Sequence, residues 1–553
     1  MRLYLILFAV SLLFLLAYRV YGRFLSSHIG LDDDRVTPAQ EINDGIDYVP
    51  AKKGFLLGQH FSAIAAAGPI VGPILASLYF GWLPVLLWIV VGAIFFGAVH
   101  DFSSLAGSVR HRAVSIVELM GQYLGRSGHI LFLIFVWLSL LYVITAFTDL
   151  TSSAFLDPEL GGATASSSAM YLFIGIGMGL ALYRLKTPLW IASLIGLSLV
   201  VASIVIGPKI PLWLPAGFGN PKDIWNVILL LYCFAASLAP VWILLQPRGY
   251  LGGFFLYGTL VAGLLGLVIG GDVVSYPAFT GFVSAKGLPL FPLLFVTVAC
   301  GACSGFHGIV CSGTTSKQIA KEKDCHLVGY GGMLLEGIVA VLALSTVMIL
   351  SKNDALTTTS PDRIYAEGLS RFVSYLGIPR ELARSFALLA FATFIYDTLD
   401  VATRLARQIF EELTGLKGML GRMIATAASL AVPLFCVSLK LSDGQGGTLP
   451  AWKVFWTIFG TSNQLLAALT LMLLSLWLKK NGKAWWISAI PMAFMAAATF
   501  SSLFIMMRPF FASLAQGKFQ LDAVTSVALV LLLLAVSLFT KAIQIQSTPK
   551  HTR

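Results

Sequence analysis

The chain has 553 residues, of which 57% are hydrophobic and only 11% are charged, and its mean hydropathy is +0.85. A soluble domain carries about 25% charged residues. A soluble enzyme, a disordered protein and a nucleic-acid-binding protein are therefore excluded, because no core could hide this much apolar surface. The net charge of +11 fits Lys- and Arg-rich cytoplasmic loops. The sequence predicts an all-α polytopic membrane protein that is surrounded by lipid.

Fifteen apolar segments have the length that a transmembrane helix needs. They are residues 3–22, 55–79, 83–104, 130–155, 168–183, 188–207, 223–245, 251–271, 288–312, 327–350, 383–403, 423–439, 453–478, 484–507 and 519–540. No small-residue cleavage site follows the first segment, so we expect a retained span rather than a signal peptide. With the first loop placed inside, 24 of the 37 basic residues lie inside. This asymmetry predicts an outer N-terminus and a cytoplasmic C-terminus in the cytoplasmic (inner) membrane.

Two of these spans contain residues that interrupt helices. The second span carries the steps Gly68-Pro69 and Gly72-Pro73, and the seventh carries Ser237 within the small segment 235–240, which ends in proline. Proline removes an amide donor, and backbone groups freed at membrane depth must face protein or water. The two spans lie five apart and enter from opposite sides, which predicts a five-plus-five inverted repeat of the LeuT type around a hydrated midplane site. The alternative is that Gly and Pro are simply common in membrane helices.

This reading divides the chain into four parts: an N-terminal helix and cytoplasmic loop (1–54), a first five-helix repeat (55–207), a second, inverted repeat (223–405), and additional peripheral helices (420–542). The last part would serve as a scaffold or as the surface of a homo-oligomer. Gly68, Pro69, Gly72 and Ser237 are the candidate substrate-binding residues of the interrupted spans.

The ninth span is the most polar. On a helix, Cys300, Cys303, His307 and Cys311 form one stripe, but a straight helix spreads that stripe over roughly 16 Å. Four such ligands cannot close on one ion whose bonds are about 2.0–2.3 Å long, so a metal would need further ligands such as His60. Small polar packing with one functional histidine is the preferred interpretation, with no required cofactor. An intramembrane metal- or thiol-dependent enzyme is the weaker alternative.

Ionisable side chains at membrane depth are costly and point to function. The candidate proton-coupling residues are His60, His100, Asp101, His307 and Asp400, since histidine titrates near physiological pH. In the ninth span, Ser304, His307, Thr314 and Thr315 would supply hydrogen bonds to a substrate.

Three further groups have plainer interpretations beside the functional one. Asp397 and Asp400, with Arg404 four residues after Asp400, could be an ordinary ion pair at a helix end. Glu336 is a carboxylate within the tenth span. Asn463-Gln464 lies outside the expected ten-span core and is expected to hold helices together.

Several segments resemble motifs of the carbon starvation protein A family. They are residues 17–22 (AYRVYG), 43–50 (NDGIDYVP), 58–61 (GQHF), 68–73, 97–102 (GAVHDF), 300–307, 312–315 (SGTT) and 459–464. The resemblance implies nutrient uptake under carbon limitation, a stress response, with members that are peptide transporters and close relatives that are pyruvate–proton symporters. It also implies the architecture of the amino acid–polyamine–organocation (APC) superfamily, with spans 2, 4, 7 and 9 around the substrate.

The expected function is therefore secondary active import of short peptides, with H⁺ as the coupling ion. The alternative is a symporter of pyruvate or another small monocarboxylate, which needs one small anion pocket rather than a longer cavity. The sequence has no GxxxxGK[ST] motif, so it does not indicate ATP-driven pumping.

Overall fold

The computed structural model describes residues 1–44, 48–65, 67–214, 219–240, 242–285, 287–439, 441–442, 448–519 and 522–547. The α-helices are α1 (Leu3–Ala17), α2 (Arg23–Ile29), α3 (Pro38–Ile42), α4 (Lys53–Ile64), α5 (Gly68–Phe80), α6 (Trp82–Gly92), α7 (Ala98–Arg110), α8 (Ile116–Phe155), α9 (Gly161–Tyr183), α10 (Leu189–Ile206), α11 (Pro221–Leu238), α12 (Leu245–Gly270), α13 (Leu290–Thr297), α14 (Ala299–Ala302), α15 (Gly305–Val310), α16 (Gly332–Met348), α17 (Pro361–Ser374), α18 (Arg380–Thr414), α19 (Gly418–Ser438), α20 (Ala451–Lys480), α21 (Trp486–Ala515) and α22 (Ala523–Ser547).

Short elements complete the described structure. Four π-helical stretches, Tyr18–Gly22, Ala93–Gly97, Cys311–Thr315 and His326–Gly331, extend neighbouring helices. Three 3₁₀ turns lie at Gly207–Lys209, Ser316–Gln318 and Ala355–Thr358. The strands β1 (Leu441–Ser442) and β2 (Thr448–Leu449) pair antiparallel.

The prediction of a polytopic helical membrane protein is confirmed. Within the described residues, thirteen helices are long and apolar enough to cross a membrane, and the bent pair α4–α5 makes a fourteenth crossing if it is counted as one span. The difference from the predicted fifteen lies in the ninth span. There the chain forms three short helices, α13 to α15, rather than one rod, because it leaves helical geometry at Val298 and again at Cys303 and Ser304.

Contacts between loops agree with the predicted alternation of sides. On the predicted outer side, Arg2 Nη1 donates to Gly271 O at 2.7 Å, and Arg363 pairs with Glu159 at 2.9 Å. On the predicted inner side, Arg110 pairs with Glu322 at 2.7 Å. Which side is the cytoplasm stays a prediction from the loop charges.

The helices differ sharply in how much of their surface the protein covers. Over an 18-residue apolar window, 94% of α20 is buried within the protein. The corresponding share is 33% for α22 and 28% for the span Leu189–Lys209. Such exposed apolar faces are what lipid contact requires. The expectation that residues 420–542 form only peripheral helices is therefore wrong for α20, which packs against α7, α8, α13 and α15.

The interrupted second crossing, α4–α5, packs against the interrupted ninth rather than the seventh. α5 lies on α13 and α14, and α4 lies on α15, whereas α11 packs on α8, α18 and α19. The predicted seventh span ends earlier than expected. Its helix, α11, ends at Leu238, and the helix that begins at Leu245, α12, is already the next crossing. The main contacts of crossing two in this conformation are therefore with crossings other than the seventh, and the five-plus-five repeat around a hydrated midplane site stays a prediction.

Candidate functional site

Four ionisable residues form a continuous chain of close polar contacts where crossings three, nine and ten meet. His100 Nδ1 lies 2.8 Å from Asp101 Oδ1, and Asp101 Oδ2 lies 2.8 Å from His307 Nδ1. His307 Nε2 then lies 3.1 Å from Glu336 Oε2. None of the four is more than 1% exposed. We call this group the His–Asp–His–Glu chain.

Three separate elements position this chain at similar depth. Asp101 lies nine residues before the end of α7 at Arg110, and Glu336 lies ten residues after His326, where the tenth crossing begins. At 1.5 Å per residue, both carboxylates lie roughly 15 Å from the inner ends of their helices. His307 enters from α15, one turn after the break at Ser304.

The contacts of His307 suit one shared proton at the centre of the chain. Both ring nitrogens of His307 face carboxylate oxygens, and a neutral imidazole has only one N–H donor. Either the ring is an imidazolium that donates to both carboxylates, or Glu336 is protonated and donates to the ring. In both states one proton lies between His307 and Glu336, which is the arrangement that a proton relay needs.

His60 lies beside this chain, on the other interrupted crossing. Its Nδ1 is 2.9 Å from Thr315 Oγ1, and its Nε2 is 4.0 Å from Cys311 Sγ. Both partners belong to the π-helical stretch that follows α15. The structure therefore brings four predicted proton-coupling residues to one region and joins α4 directly to crossing nine.

Asn463 and Gln464 of α20 satisfy the backbone at the break of crossing nine. Asn463 Oδ1 accepts the Phe306 amide at 2.9 Å, and Asn463 Nδ2 donates to Ser304 Oγ at 3.0 Å. Gln464 Nε2 donates to the carbonyl of Phe295 at 3.1 Å and to that of Cys303 at 3.4 Å. Amides and carbonyls at helix ends need such partners when water is absent. The geometry agrees with the expectation that this pair holds helices together.

The predicted substrate-binding glycines pack against crossing nine instead of lining a chamber. A Cβ on Gly68 would overlap the Cys300 side chain, and a Cβ on Gly72 would overlap the Thr297 carbonyl oxygen. Gly68, Pro69 and Gly72 are all buried. In this conformation the hydrated midplane site expected beside crossing two is closed at these positions.

The other predicted substrate-binding residues do not converge. Ser237 lies 3.5 Å from Thr426 Oγ1 on α19, away from crossing nine. Thr314 is exposed and donates to the carbonyl of Val310 in its own segment. A cavity between α8, α15 and α20, lined by Phe306, Asn463 and eight other residues, has room for about one water molecule.

Cys300, Cys303, His307 and Cys311 do not form the one helical stripe that the sequence suggested, because crossing nine is not a single helix. Cys300 Sγ accepts from Asn463 Nδ2 at 3.5 Å, while Cys303 and Cys311 lie on different elements. Across the described part of the chain, no group of three or more His, Cys, Asp and Glu side chains could hold a metal ion.

A second ionic group, which we call the Arg248 cluster, joins α12 to α18. Arg248 Nη2 lies 3.0 Å from Asp397 Oδ1 and 2.6 Å from Asp400 Oδ2. The Tyr232 hydroxyl of α11 donates to Asp400 Oδ2 at 2.9 Å and also contacts Arg248. Arg404 does not pair with Asp400 as the sequence spacing suggested, since it donates to the carbonyls of residues 236 and 239 at the end of α11.

Sequence reasoning missed Arg248 because it was counted as a loop charge between spans seven and eight. The signal that could have found it is local. Position 248 precedes an apolar run with no intervening turn residue other than Gly, so one helix can include both. A buried arginine in such a helix needs a carboxylate, and Asp397 and Asp400 are a conspicuous unassigned pair.

Buried ionisable groups at breaks in membrane helices are typical of secondary transporters, and the fold and these two clusters define a polytopic helical membrane protein of that class. The family model described as "Carbon starvation protein CstA" matches residues 1–367 and 351–502. The chain therefore belongs to the carbon starvation protein CstA family, as its motifs suggested.

Two relatives illustrate the range of the family. The peptide transporter CstA of Escherichia coli strain K12 is 31% identical, in a match covering 89% of this chain and 79% of the relative. The pyruvate/proton symporter BtsT of the same organism is 30% identical over 88% of this chain and 79% of the relative. A crystal structure of the Eremococcus coleocola manganese transporter covers 90% of this chain and 97% of its own, at 13% identity and a TM-score of 0.45, too distant to support a conclusion.

Proposed function

We propose that this protein is a proton-coupled transporter that imports short peptides across the cytoplasmic membrane, with its N-terminus outside. The observation that carries the proposal is the His–Asp–His–Glu chain, which is buried and includes His307, one turn after the break in crossing nine. The names of the CstA relatives supply the substrate class. The position of the chain supplies the candidate coupling site.

The chain couples protonation to helix position through His307. When the His307–Glu336 pair holds its proton, each ring nitrogen of His307 faces a carboxylate oxygen, and the opposite charges hold crossings three, nine and ten together. Loss of that proton leaves a carboxylate facing a nitrogen lone pair in a dry environment, which is strongly unfavourable. The deprotonated chain therefore favours a conformation in which α15 moves away from α16 and water reaches Glu336.

A second candidate function is pyruvate–proton symport, which the name of the BtsT relative favours. The two functions share the coupling site and differ in the substrate. A peptide carries an ammonium and a carboxylate at opposite ends, whereas pyruvate carries one carboxylate.

The test is uptake of labelled dialanine into proteoliposomes that hold the purified protein under an imposed pH gradient. We expect accumulation only when the outside is more acidic, and we expect His307→Gln to abolish accumulation while leaving downhill equilibration. His129→Gln is the matched control, because His129 also pairs with a glutamate, Glu412, at 2.8 Å but at the surface. Accumulation that ignores the gradient, or a fully coupled His307→Gln variant, contradicts the proposal.

Competition separates the two substrates. Unlabelled pyruvate in excess should not reduce uptake of labelled dialanine if peptides are the substrate. Uptake of labelled pyruvate, with no uptake of dialanine, would instead establish the second candidate function.

A further inference from the structure

The Arg248 cluster carries an unbalanced negative charge in a buried position. Arg248 is one guanidinium between two carboxylates, Asp397 and Asp400, and the Arg248 and Asp400 side chains are only 2% and 3% exposed. Arg404, the next cation along α18, donates to the carbonyl end of α11, where the helix dipole is itself negative. Next along α18, Arg407 faces Glu411 at 3.6 Å. A buried charge without a counter-charge is costly, so the cluster favours a cation.

The cluster also has an unused acceptor and one partly exposed carboxylate. Asp400 Oδ1 is buried and has no hydrogen-bond partner within the described residues. Asp397 is the accessible member of the pair, with a side chain that is 17% exposed. Tyr232 and Tyr396 lie beside these carboxylates, with ring centroids 5.8 Å apart and both rings within 6 Å of the guanidinium carbon of Arg248. Aromatic faces beside carboxylates suit an organic ammonium group, which they attract through cation–π contact.

The interrupted second crossing contacts α12, the helix that carries Arg248. Ser62 Oγ of α4 donates to the carbonyl of Gly249, the residue after Arg248, at 3.3 Å. Gly252, one turn further along α12, approaches Asp397 so closely that a Cβ there would overlap the carboxylate. The helix beside Asp397 is therefore packed against α4, which also carries His60.

We propose that Asp397 and Asp400 bind the N-terminal ammonium group of the transported peptide. Arg248 holds the two carboxylates in place, and the ammonium completes the charge balance and satisfies Asp400 Oδ1. This inference rests on the proposed peptide transport and specifies it, since pyruvate has no ammonium group to fill the site.

The test compares binding of dialanine and N-acetyl-dialanine to the purified full-length protein by isothermal titration calorimetry. Acetylation keeps the dipeptide backbone and the carboxylate, removes the positive charge and adds one acetyl group. Since a hydrogen bond to a charged group contributes about 1.5–3 kcal/mol, we expect the acetylated peptide to bind about ten- to a hundredfold more weakly. This arm uses the unmodified protein, so it does not depend on a variant that folds.

Variants locate the effect. Asp397→Asn should weaken dialanine binding by a similar factor, whereas Glu411→Gln, the same change of charge on the same helix, should not. Equal affinities for the two peptides, or an Asp397→Asn variant that binds dialanine normally, overturn the inference while leaving peptide transport intact. Binding of pyruvate but of neither peptide refutes the proposed function as well.

Discussion

The substitution Gly72→Ala tests whether the Gly-Pro segment of crossing two is a packing surface or the wall of a substrate chamber. The structure gives a specific collision: an added Cβ would overlap the Thr297 carbonyl oxygen and lie 3.3 Å from both the Thr297 carbonyl carbon and Val298 Cα. These are backbone atoms, which no side-chain rotation can move aside. Forcing one extra carbon into a packed interior costs about 1–3 kcal/mol.

Helix propensity acts in the opposite direction and sets the control. Replacing Gly by Ala within a helix stabilises it by up to about 1 kcal/mol. Gly177→Ala on α9 receives only this benefit, because nothing lies within 4 Å of a Cβ there. We therefore expect the free energy of unfolding to fall by about 1–2 kcal/mol for Gly72→Ala and not to fall for Gly177→Ala, in denaturant titrations of the detergent-purified protein. Equal stability of the two variants would refute the packing and return Gly72 to an open chamber.

Three further predictions concern other contacts. Glu322→Gln should destabilise the protein by about 3 kcal/mol, because Glu322 is 4% exposed and its bidentate partner Arg110 would be left half-buried without its counter-charge. Glu41→Gln is the control. The Glu41–Arg112 pair is 55–72% exposed, so the substitution should cost less than about 1 kcal/mol in the same denaturation assay. Asn463→Leu should cost about 2–4 kcal/mol through the orphaned Phe306 amide and Ser304 hydroxyl, and it should reduce dialanine uptake, whereas a stable and active variant would show that the break needs no partner from α20. Burial raises the pKa of the Asp362 carboxyl, on α17 outside the membrane spans, above its unfolded value. At pH values between the unfolded and the folded pKa, the native state therefore binds more protons than the unfolded state, and the stability falls as the pH rises. Asp362→Asn should therefore raise the melting temperature at pH 7 and give no gain below about pH 4, and a constant gain at both pH values would contradict this origin.

The sequence predicted the crossings well because length and apolarity are local properties of a segment. Every predicted span has helix in it, and the Gly-Pro steps correctly placed the break of crossing two before Gly68. The break at residues 303–304 was not predicted. No proline marks it, and the glycines nearby are equally compatible with close packing of one continuous helix.

Pairings across the fold could not be read from the sequence. His100, Asp101, His307 and Glu336 were each conspicuous as ionisable residues at depth, but 206 residues separate Asp101 from its partner His307 along the chain. The central position of α20 was missed for a similar reason. Its apolar composition is that of any membrane helix, and only the contacts of Asn463 with crossing nine distinguish a buried helix from one that faces lipid.

α4 provides a physical connection between the two ionic sites. His60 and Ser62 lie two residues apart, which turns their side chains about 200° from each other around the helix. His60 accordingly faces Thr315 of crossing nine, while Ser62 faces Gly249 of α12.

A displacement of α12 that accompanies binding of an ammonium at Asp397 must therefore either move α4 or break the Ser62 contact. If α4 moves, the His60–Thr315 contact transmits the displacement to the segment that carries His307. Linkage then requires reciprocity: peptide binding changes the proton affinity of the His–Asp–His–Glu chain by the same factor by which protonation changes peptide affinity. Ser62→Ala removes the hydrogen bond with a minimal change of shape. It should weaken the pH dependence of dialanine binding without abolishing binding itself, and an unchanged pH dependence would show that the coupling follows another route.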